Sequence, residues 1–496
     1  MRINSANSLV RYRNSHWPEV SENDVILVIN PHNTWWSYAL TLELVLEFQL
    51  QCKKIYWLNL AVDNGPKYHM NDNDYISKLR FKDPIKRIGK ILTASNVFWD
   101  LEPIKILRNS QTKLVINKFS GEIDGNFSWI EKIDQLVKTE IINKFQDVDV
   151  DFLKARKFQK FYTKQAHTQL YKLTNFNERI KVDQVFAIND RFLASSLGLL
   201  YFRNLGVKAS VFYFGSDYKT IQAYKHGLFS YDDWREHINE FSKNIQLTSN
   251  QKSNLCEELK TNLLKKTSDS LEFEGSMIQG KGVNYLANKP YCVFYATSEW
   301  ENSAINKISK EGEFNSQAVA FEKVTEFLNS MGYLVILKKH PKRGNKESRG
   351  DKVWDSLNPS LNFIVLNEKS TVDVHELIKE AKLNIFWKSS LGIESIILGK
   401  PTLVMGKPVW LDLKWNIHAW KSEDLFKLNN FDKLIIDSSN LIYWYLFQKC
   451  FGFPMKHVKF EKYTPLVNGI RIIEYRFYFK LARTLIIRVK TFLKLK

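Results

Sequence analysis

Short apolar runs punctuate this chain at intervals. VILVIN (25–30), IYWLNL (55–60), VFAIN (185–189) and VFYF (211–214) form one series. YCVFYA (291–296), YLVILKK (333–339), FIVL (363–366), LNIFW (383–387) and TLVM (402–405) form a second. Each run is short and rich in β-branched and aromatic residues, as strands buried on both faces are. Helical periodicity follows most of them, so parallel sheets with helical crossovers are expected. The pattern predicts an α/β protein built from two doubly wound, Rossmann-like domains.

Between the two series, residues 218–285 are expected to be helical and then polar, as in NIQLTSNQKSN and KKTSDSLEFEGSMIQGKG. That composition is the most linker-like in the chain and puts a boundary near residue 285. The expected domains are therefore 1–285, Rossmann-like with a helical insertion and linker; 286–430, the second Rossmann-like domain; and 431–496, a helical segment with a basic tail. In that tail, Phe477, Leu481, Leu485, Val489 and Phe492 recur at intervals of four or three, with Arg476, Lys480, Arg483 and Lys490 interleaved. This is the pattern of a basic amphipathic helix, suited either to packing on the domains or to lying in an anionic membrane interface.

Composition narrows the classes. At 496 residues the chain holds two to four domains, and 44% hydrophobic with 14% aromatic content excludes disorder as its main state. Lys plus Arg number 72 against 53 Asp plus Glu, a net charge of +19. Residues 470–496 carry eight Lys or Arg and one Glu, so they supply +7 of it. Such a surplus serves nucleic acid, an anionic membrane or phosphorylated substrates. Cys52, Cys256, Cys292 and Cys450 lie too far apart for a CxxC metal site or a disulfide frame, which favours a reducing compartment. The first twenty residues lack a signal-peptide core, and no apolar run is long enough for a spanning helix, so a cytoplasmic location is expected.

Two loops carry candidate chemistry. YLVILKKHPKRGN (333–345) is a strand running into a loop with His340, Pro341, Lys338, Lys339, Lys342 and Arg343. Ligands of open α/β sheets bind outside the carboxyl ends of strands, where this loop lies. A His there can hydrogen-bond a phosphate oxygen or a base edge, although a surface loop His is the more ordinary case. In LNIFWKSSLGIESIILGKPTLVMG (383–406) a strand ends at Lys388, Ser389 and Ser390 before a short helix. Ser389 or Ser390 is expected to cap that helix beside an anion, and Glu394, one turn in, to face the same crevice, where a carboxylate accepts ribose hydroxyls. Together the two loops describe a nucleotide site, which neither describes alone.

From about 290 to 410 the chain resembles bacterial capsule and surface-polysaccharide glycosyltransferases of the two-Rossmann GT-B fold. These share an HP motif and an SS motif with bacterial sialyltransferases and Kdo transferases. The matching pieces are YCVFYATSEWE, QAVAFEKVTEFL, KKHPKR, DKVWDSL, STVDVHEL and WKSSLGIESIILGKP, in order and at fitting spacing. The resemblance implies two domains facing a cleft, His340 and Pro341 on the donor nucleotide, Ser389 and Ser390 on its phosphate, and Glu394 on the ribose. It also implies that Ser298 and Glu299 face the cleft, with Lys339 and Arg343 beside the phosphates.

The first half matches less. INDRFLASSLGLLYFRNLGV (188–207) is similar to the family's Asn-Gly-Arg segment with Asp190 replacing the Gly. The following strand carries Tyr213 and Phe214 where many relatives have a Glu. Candidates for the catalytic base are Asp190, His32 and Asp217, each of which also has an ordinary use as a cap or turn residue. Trp35 and Trp36 suit sugar stacking or buried packing.

GxxxxGK[ST], HExxH, GxSxG and GxGxxG after the first strand are all absent from the sequence, and its Asp-rich stretches lie outside a strand-end setting. Neither a metal nor a bound cofactor is therefore expected, and the resemblance implies a transferase. It takes a nucleotide-sugar donor to a lipid-linked capsule, O-antigen or other surface glycan at the inner face of the membrane. The alternatives are a polyol-phosphate transferase with a CDP-glycerol or CDP-ribitol donor, and a basic nucleic-acid-binding protein. The latter lacks any recognised reading motif, so no nucleic-acid partner is expected.

Overall fold

The computed structural model describes residues 17–31, 35–60, 87–88, 90–92, 94–100, 128–145, 155–215, 220–227, 231–245, 247–265, 290–297, 314, 316–340, 354, 357–367, 370, 372–406, 408, 417–418, 421–428, 430–431, 441–450, 452–461 and 464–471. The chain divides into two compact units. One takes His16–Leu136, Lys160–Leu228 and Gly452–Lys496; the other takes Met1–Ser15, Val137–Gln159 and Phe229–Phe451. The boundary expected near 285 lies outside the described residues, as does the basic stripe beyond residue 471.

The first unit is built on β1 (Val25–Asn30), α1 (Trp35–Phe48), β2 (Lys54–Asn59) and β3 (Val97–Asp100). After the helices α2 (Trp129–Phe145) and α3 (Arg156–Arg179), of which 137–145 and 156–159 belong to the other unit, come β4 (Gln184–Ile188), α4 (Leu193–Asn204), β5 (Lys208–Phe214) and β6 (Thr220–Tyr224). The first five strands are parallel, with β1 flanked by β2 and β4, which is a doubly wound arrangement. β1 and β4 are apolar along nearly their whole length because both sheet faces are covered. A row of rings fills one face: Trp17 stacks on Phe48, Phe48 meets Phe186 at 5.0 Å, and Phe186 meets Phe212 at 5.1 Å. Phe48, Phe186 and Phe212 are fully buried, and each such ring stabilises the fold by about 2 kcal/mol.

The other unit begins with α5 (Tyr231–Asn244) and α6 (Ser249–Lys265). It continues through β7 (Tyr291–Tyr295), α7 (Gln317–Ser330), β8 (Leu334–Lys338), β9 (Phe363–Leu366), α8 (Val374–Glu380), β10 (Leu383–Phe386), α9 (Leu391–Ile397), β11 (Thr402–Val404) and β12 (Ile417–His418). The short α10 (Ser422–Leu425) and α11 (Leu441–Cys450) follow. All six strands are parallel, in the spatial order β12-β11-β10-β7-β8-β9. α7 packs on one face through Phe321, Val324 and Leu328, and α8 on the other through Leu377 and Ile378. Both sheets thus have the doubly wound form that the strand pattern predicts.

The stretch from 218 opens with a strand rather than a helix. β6 runs antiparallel to β5, and its Gln222 is buried because the Tyr224 hydroxyl donates to it. The segment 431–496, expected to be helical, is helical only at α11 among its described residues of regular structure beyond α10. It then gives β13 (Phe453–Pro454), β14 (Val458–Glu461), β15 (Thr464–Val467) and β16 (Ile470–Arg471). β13 joins β6 on the edge of the first sheet, and the other three form their own antiparallel sheet. Asn468 and Gly469 both have positive φ, 49° and 77°, so the two-residue Asn-Gly turn between β15 and β16 reverses the chain where a helix cannot form.

Burial also sets thiol chemistry. It pushes the Cys292 thiol up to about 12 and the Cys52 thiol up to about 11, the latter with help from the Asp24 carboxylate. Neither forms appreciable thiolate at pH 8. Iodoacetamide at that pH is expected to leave Cys52 and Cys292 unlabelled in the native protein and to label both in guanidinium, as read by peptide mass mapping. Native labelling at either would contradict the burial.

Candidate functional site

The parallel strands of the second sheet end along one edge. Phe386 pairs with Tyr295 and Val404, Tyr295 with Lys338, and Lys338 with Leu366, so β11, β10, β7, β8 and β9 finish level with one another. Backbone bonds continue past the ends: Ala296 N–H donates to Lys338 O (3.0 Å), Lys339 N–H to Leu366 O (2.9 Å) and Met405 N–H to Phe386 O (2.9 Å). From β7 the chain proceeds outward to β8 and β9, then returns to β10 on β7's other side. Crossovers therefore leave in opposite directions from β7 and β10, which opens a crevice at their carboxyl ends.

Thr297 marks one wall of that crevice. The Gln317 side chain clasps it, accepting from Thr297 N–H and donating to Thr297 O, both at 3.0 Å. Ser298 and Glu299, the next residues, lie outside the described residues. The other wall is Trp387 to Ser390. Ser389 Oγ accepts from Leu391 N–H at 3.2 Å, whereas Ser390 is the helix N-cap by position yet its side chain makes no cap bond. Of the two serines, Ser389 thus supplies the side-chain bond, because its Oγ reaches the first free N–H of α9.

Lys339 and His340, half-buried, leave β8 next to β7. Beneath them Lys338 is buried and its ammonium donates to Lys339 O and Asn367 O, each at 3.3 Å, tying the ends of β8 and β9 together. Strands lie about 4.8 Å apart, so the β8 and β10 loops stand roughly 10 Å from one another with the end of β7 between them. Pro341 and Arg343 lie outside the described residues.

Glu394 has a partner that periodicity did not single out. Its Oε2 lies 2.8 Å from His375 Nε2, and His375 Nδ1 lies 3.8 Å from Asp373 Oδ1. Asp373 is the N-cap of α8, its carboxylate accepting from His375 N–H (2.7 Å) and Glu376 N–H (3.4 Å). STVDVHEL contains both residues, and an Asp directly before a helical run is a legible cap signal; the pairing with Glu394 is not.

In the first sheet the equivalent change of direction falls between β1 and β4. Asn30, at the end of β1, is buried and accepts from the Ser37 and Thr41 hydroxyls while donating to Asn59 Oδ1. His32 follows it, outside the described residues, as is Asp217. Asp190 follows β4. Asn189 turns the chain with φ 51°, and its Oδ1 accepts from Arg191 N–H at 3.1 Å. α4 begins after Phe192, so Asp190 is not its N-cap. The Asp190 carboxylate instead lies over Gly227, where a Cβ would meet Oδ2 at 2.5 Å. Trp36 packs on the core and against Phe192 at 5.7 Å, the buried use of such a ring; the Trp35 side chain is outside the described residues.

Among the described residues no group of three His, Cys, Asp or Glu is placed to hold a metal ion. No described helix is long and apolar enough to cross a membrane.

No protein-family model matches the chain, and no curated protein matches it. Solved structures similar to it include the β-Kdo 2,4-transferase of Thermosulfurimonas dismutans KpsC, at 12% identity and a TM-score of 0.34, covering 52% of this chain and 79% of that one. Another is UDP-GlcNAc 2-epimerase from Neisseria meningitidis bound to UDP-GlcNAc, at 10% identity and a TM-score of 0.29, covering 86% and 98%. A third is α,α-trehalose 6-phosphate synthase from Burkholderia multivorans, at 8% identity and a TM-score of 0.33, covering 86% and 95%.

Proposed function

We propose that this protein is a glycosyltransferase of GT-B type that moves a sugar from a nucleotide-activated donor to a surface polysaccharide or its lipid-linked precursor. The observation that carries the reading is the carboxyl edge of the second sheet. There Lys339 and His340 follow one strand while Ser389, Ser390 and Glu394 follow another, on either side of the β7 strand end. Cations and hydroxyls of this kind suit a phosphate, and a carboxylate beside them suits a ribose.

In this account the donor's phosphates lie against the His340 loop, with Pro341 and Arg343 extending it, and against Ser389 and Ser390. As the glycosidic bond to the donor phosphate breaks, negative charge grows on the leaving nucleotide, and fixed cations and N–H groups stabilise it more than they stabilise the ground state. In this reading Ser298 and Glu299, next in sequence after the clasped Thr297, also serve the donor. The acceptor hydroxyl loses its proton to a carboxylate or imidazole, for which Asp190, His32 and Asp217 are the candidates. The basic stripe beyond residue 471 suits an anionic membrane holding a lipid-linked acceptor.

Asp190 is the one base candidate with a described setting, and Gly227 tests it. Gly227→Ala places a methyl where the carboxylate lies, so the side chain must turn away. Turnover is expected to fall about tenfold while donor KM stays within about twofold, because the group misplaced acts in the chemical step. Unchanged turnover would remove Asp190 from the candidates.

The function itself is tested by incubating the full chain with CMP-, UDP- and GDP-activated sugars and a polyprenyl-linked glycan extract, then analysing products by mass spectrometry. A new glycosidic linkage with stoichiometric nucleotide release is expected. Transfer of a polyol phosphate from CDP-glycerol or CDP-ribitol instead would make the enzyme a polyol-phosphate transferase. No nucleotide release from any donor would contradict the reading.

A further inference from the structure

His375 stands between two carboxylates at the carboxyl edge of the second sheet. α8 and α9 flank β10 in sequence and share one face of the sheet, where Leu377, Ile378 and Leu391 pack in one cluster. Their first turns therefore come together beside the ends of β7 and β10. The imidazole's Nε2 contacts Glu394 Oε2 at 2.8 Å, a charge-assisted hydrogen-bond distance. Its Nδ1 faces Asp373 Oδ1 at 3.8 Å, an electrostatic separation rather than a hydrogen bond. The ring is only 11% exposed, against 20% for Glu394 and 27% for Asp373. Asp373 is itself held by two backbone N–H groups of α8. The array is thus anchored at the backbone end and opens toward Glu394.

A glutamate has three rotatable side-chain bonds, and orienting it for a ligand costs entropy unless something else fixes it. We propose that His375 is the residue that fixes it: a positioning residue that holds the Glu394 carboxylate at the β7/β10 crevice to accept the ribose hydroxyls of the nucleotide. This rests on the nucleotide-site reading above. A carboxylate has about four lone-pair positions, so the bond from His375 does not by itself exclude accepting from a diol. A carboxylate only accepts, so in this bond the imidazole Nε2–H is the donor. Positioning through a second side chain differs from bracing two helices, because only the former makes affinity depend on the sugar hydroxyls.

The test is calorimetric binding of CMP and 2′,3′-dideoxy-CMP, with the UMP and GMP pairs alongside, to the full chain and three variants. Wild type is expected to prefer the ribonucleotide of one base by about tenfold. Glu394→Gln and His375→Ala are each expected to reduce that preference to about twofold while leaving dideoxynucleotide affinity within about twofold. His375→Gln keeps a donor near the Nε2 position and is expected to restore at least half of the preference. A wild type that binds no nucleotide overturns the site reading itself. A wild type that binds both forms of a nucleotide equally overturns the ribose contact and this inference with it, leaving the phosphate loops in place. Preference lost in Glu394→Gln but kept in His375→Ala overturns the role of His375 alone. An equal loss of affinity for both forms in His375→Ala, or failure of both His375 variants to fold, makes His375 a structural brace and overturns the inference.

Discussion

His340→Ala is expected to lower nucleotide affinity, and with it transfer, by about 10- to 100-fold, the range for a lost hydrogen bond to a charged group. The residue leaves β8 directly, and Lys339 ahead of it is fixed by its N–H bond to Leu366 O. The end of β8 is likewise held to β9 by the buried Lys338 ammonium, which donates to Lys339 O and Asn367 O. For that reason the melting temperature should move by no more than about 2 °C, as for other partly exposed positions outside the core. Circular dichroism melts and calorimetric titration on the same preparation check both halves. An inactive variant that also melts early would point to folding instead of binding. Normal turnover in a folded variant would remove His340 from the donor site.

Glu43→Ala is expected to have the largest effect on stability. Glu43 projects from α1 and is 3% exposed, and its carboxylate accepts from Lys456 N–H (2.7 Å), His457 N–H (3.0 Å) and Val458 N–H (2.7 Å). One side chain thus ends the orphaned donors at the start of β14 and docks the three-stranded sheet on α1. Glu47, one turn on, adds Lys456 Nζ and His457 Nε2 as partners. Removing Glu43 leaves three N–H groups, that of Val458 buried and those of Lys456 and His457 partly so, without their acceptor, at a cost of about 3 kcal/mol. In a unit of this size that lowers the melting temperature by roughly 6 to 12 °C. Glu43→Gln retains one acceptor oxygen and should lose about half as much.

Burial raises the Glu43 carboxyl above its ordinary range, although the three backbone bonds and the neighbouring His457 pull the other way. The native state then holds the proton more tightly than the unfolded chain. Its contribution to stability is complete below the ordinary carboxylate range and declines as pH rises through the raised value. Wild type should therefore lose ground to Glu43→Gln as pH increases across that window, in denaturant titrations of both. A difference that grows with pH would contradict the direction.

Most of the nine apolar runs were legible as strands because a strand covered on both faces has no polar side to interrupt it; β9, with only Leu366 buried, was legible because all four of its residues are apolar. β3 was not, since only Val97 of its four residues is buried on this sheet edge. β6 hides behind buried Gln222, whose polarity is met by Tyr224. β15 and β16 carried a legible sign, Asn468-Gly469, that helical expectations for the C-terminal segment obscured. The site divides in the same way. Loops after strands can be located from sequence because each strand end is marked by the residues that follow it. The His375–Glu394 contact joins residues 19 apart with β10 between them, and only the sheet order brings their helices side by side. Likewise, nothing local says that Asp190 rests against Gly227, since β5 and β6 intervene.

The most direct measurement of the central claim is a thermal-shift screen of the full chain against CMP, CDP, UDP and GDP and their activated sugars. The account predicts a saturable upward shift with the nucleotides of one base, reduced in His340→Ala and retained in Glu43→Gln. No shift with any of them would contradict a nucleotide site at the carboxyl edge of the second sheet.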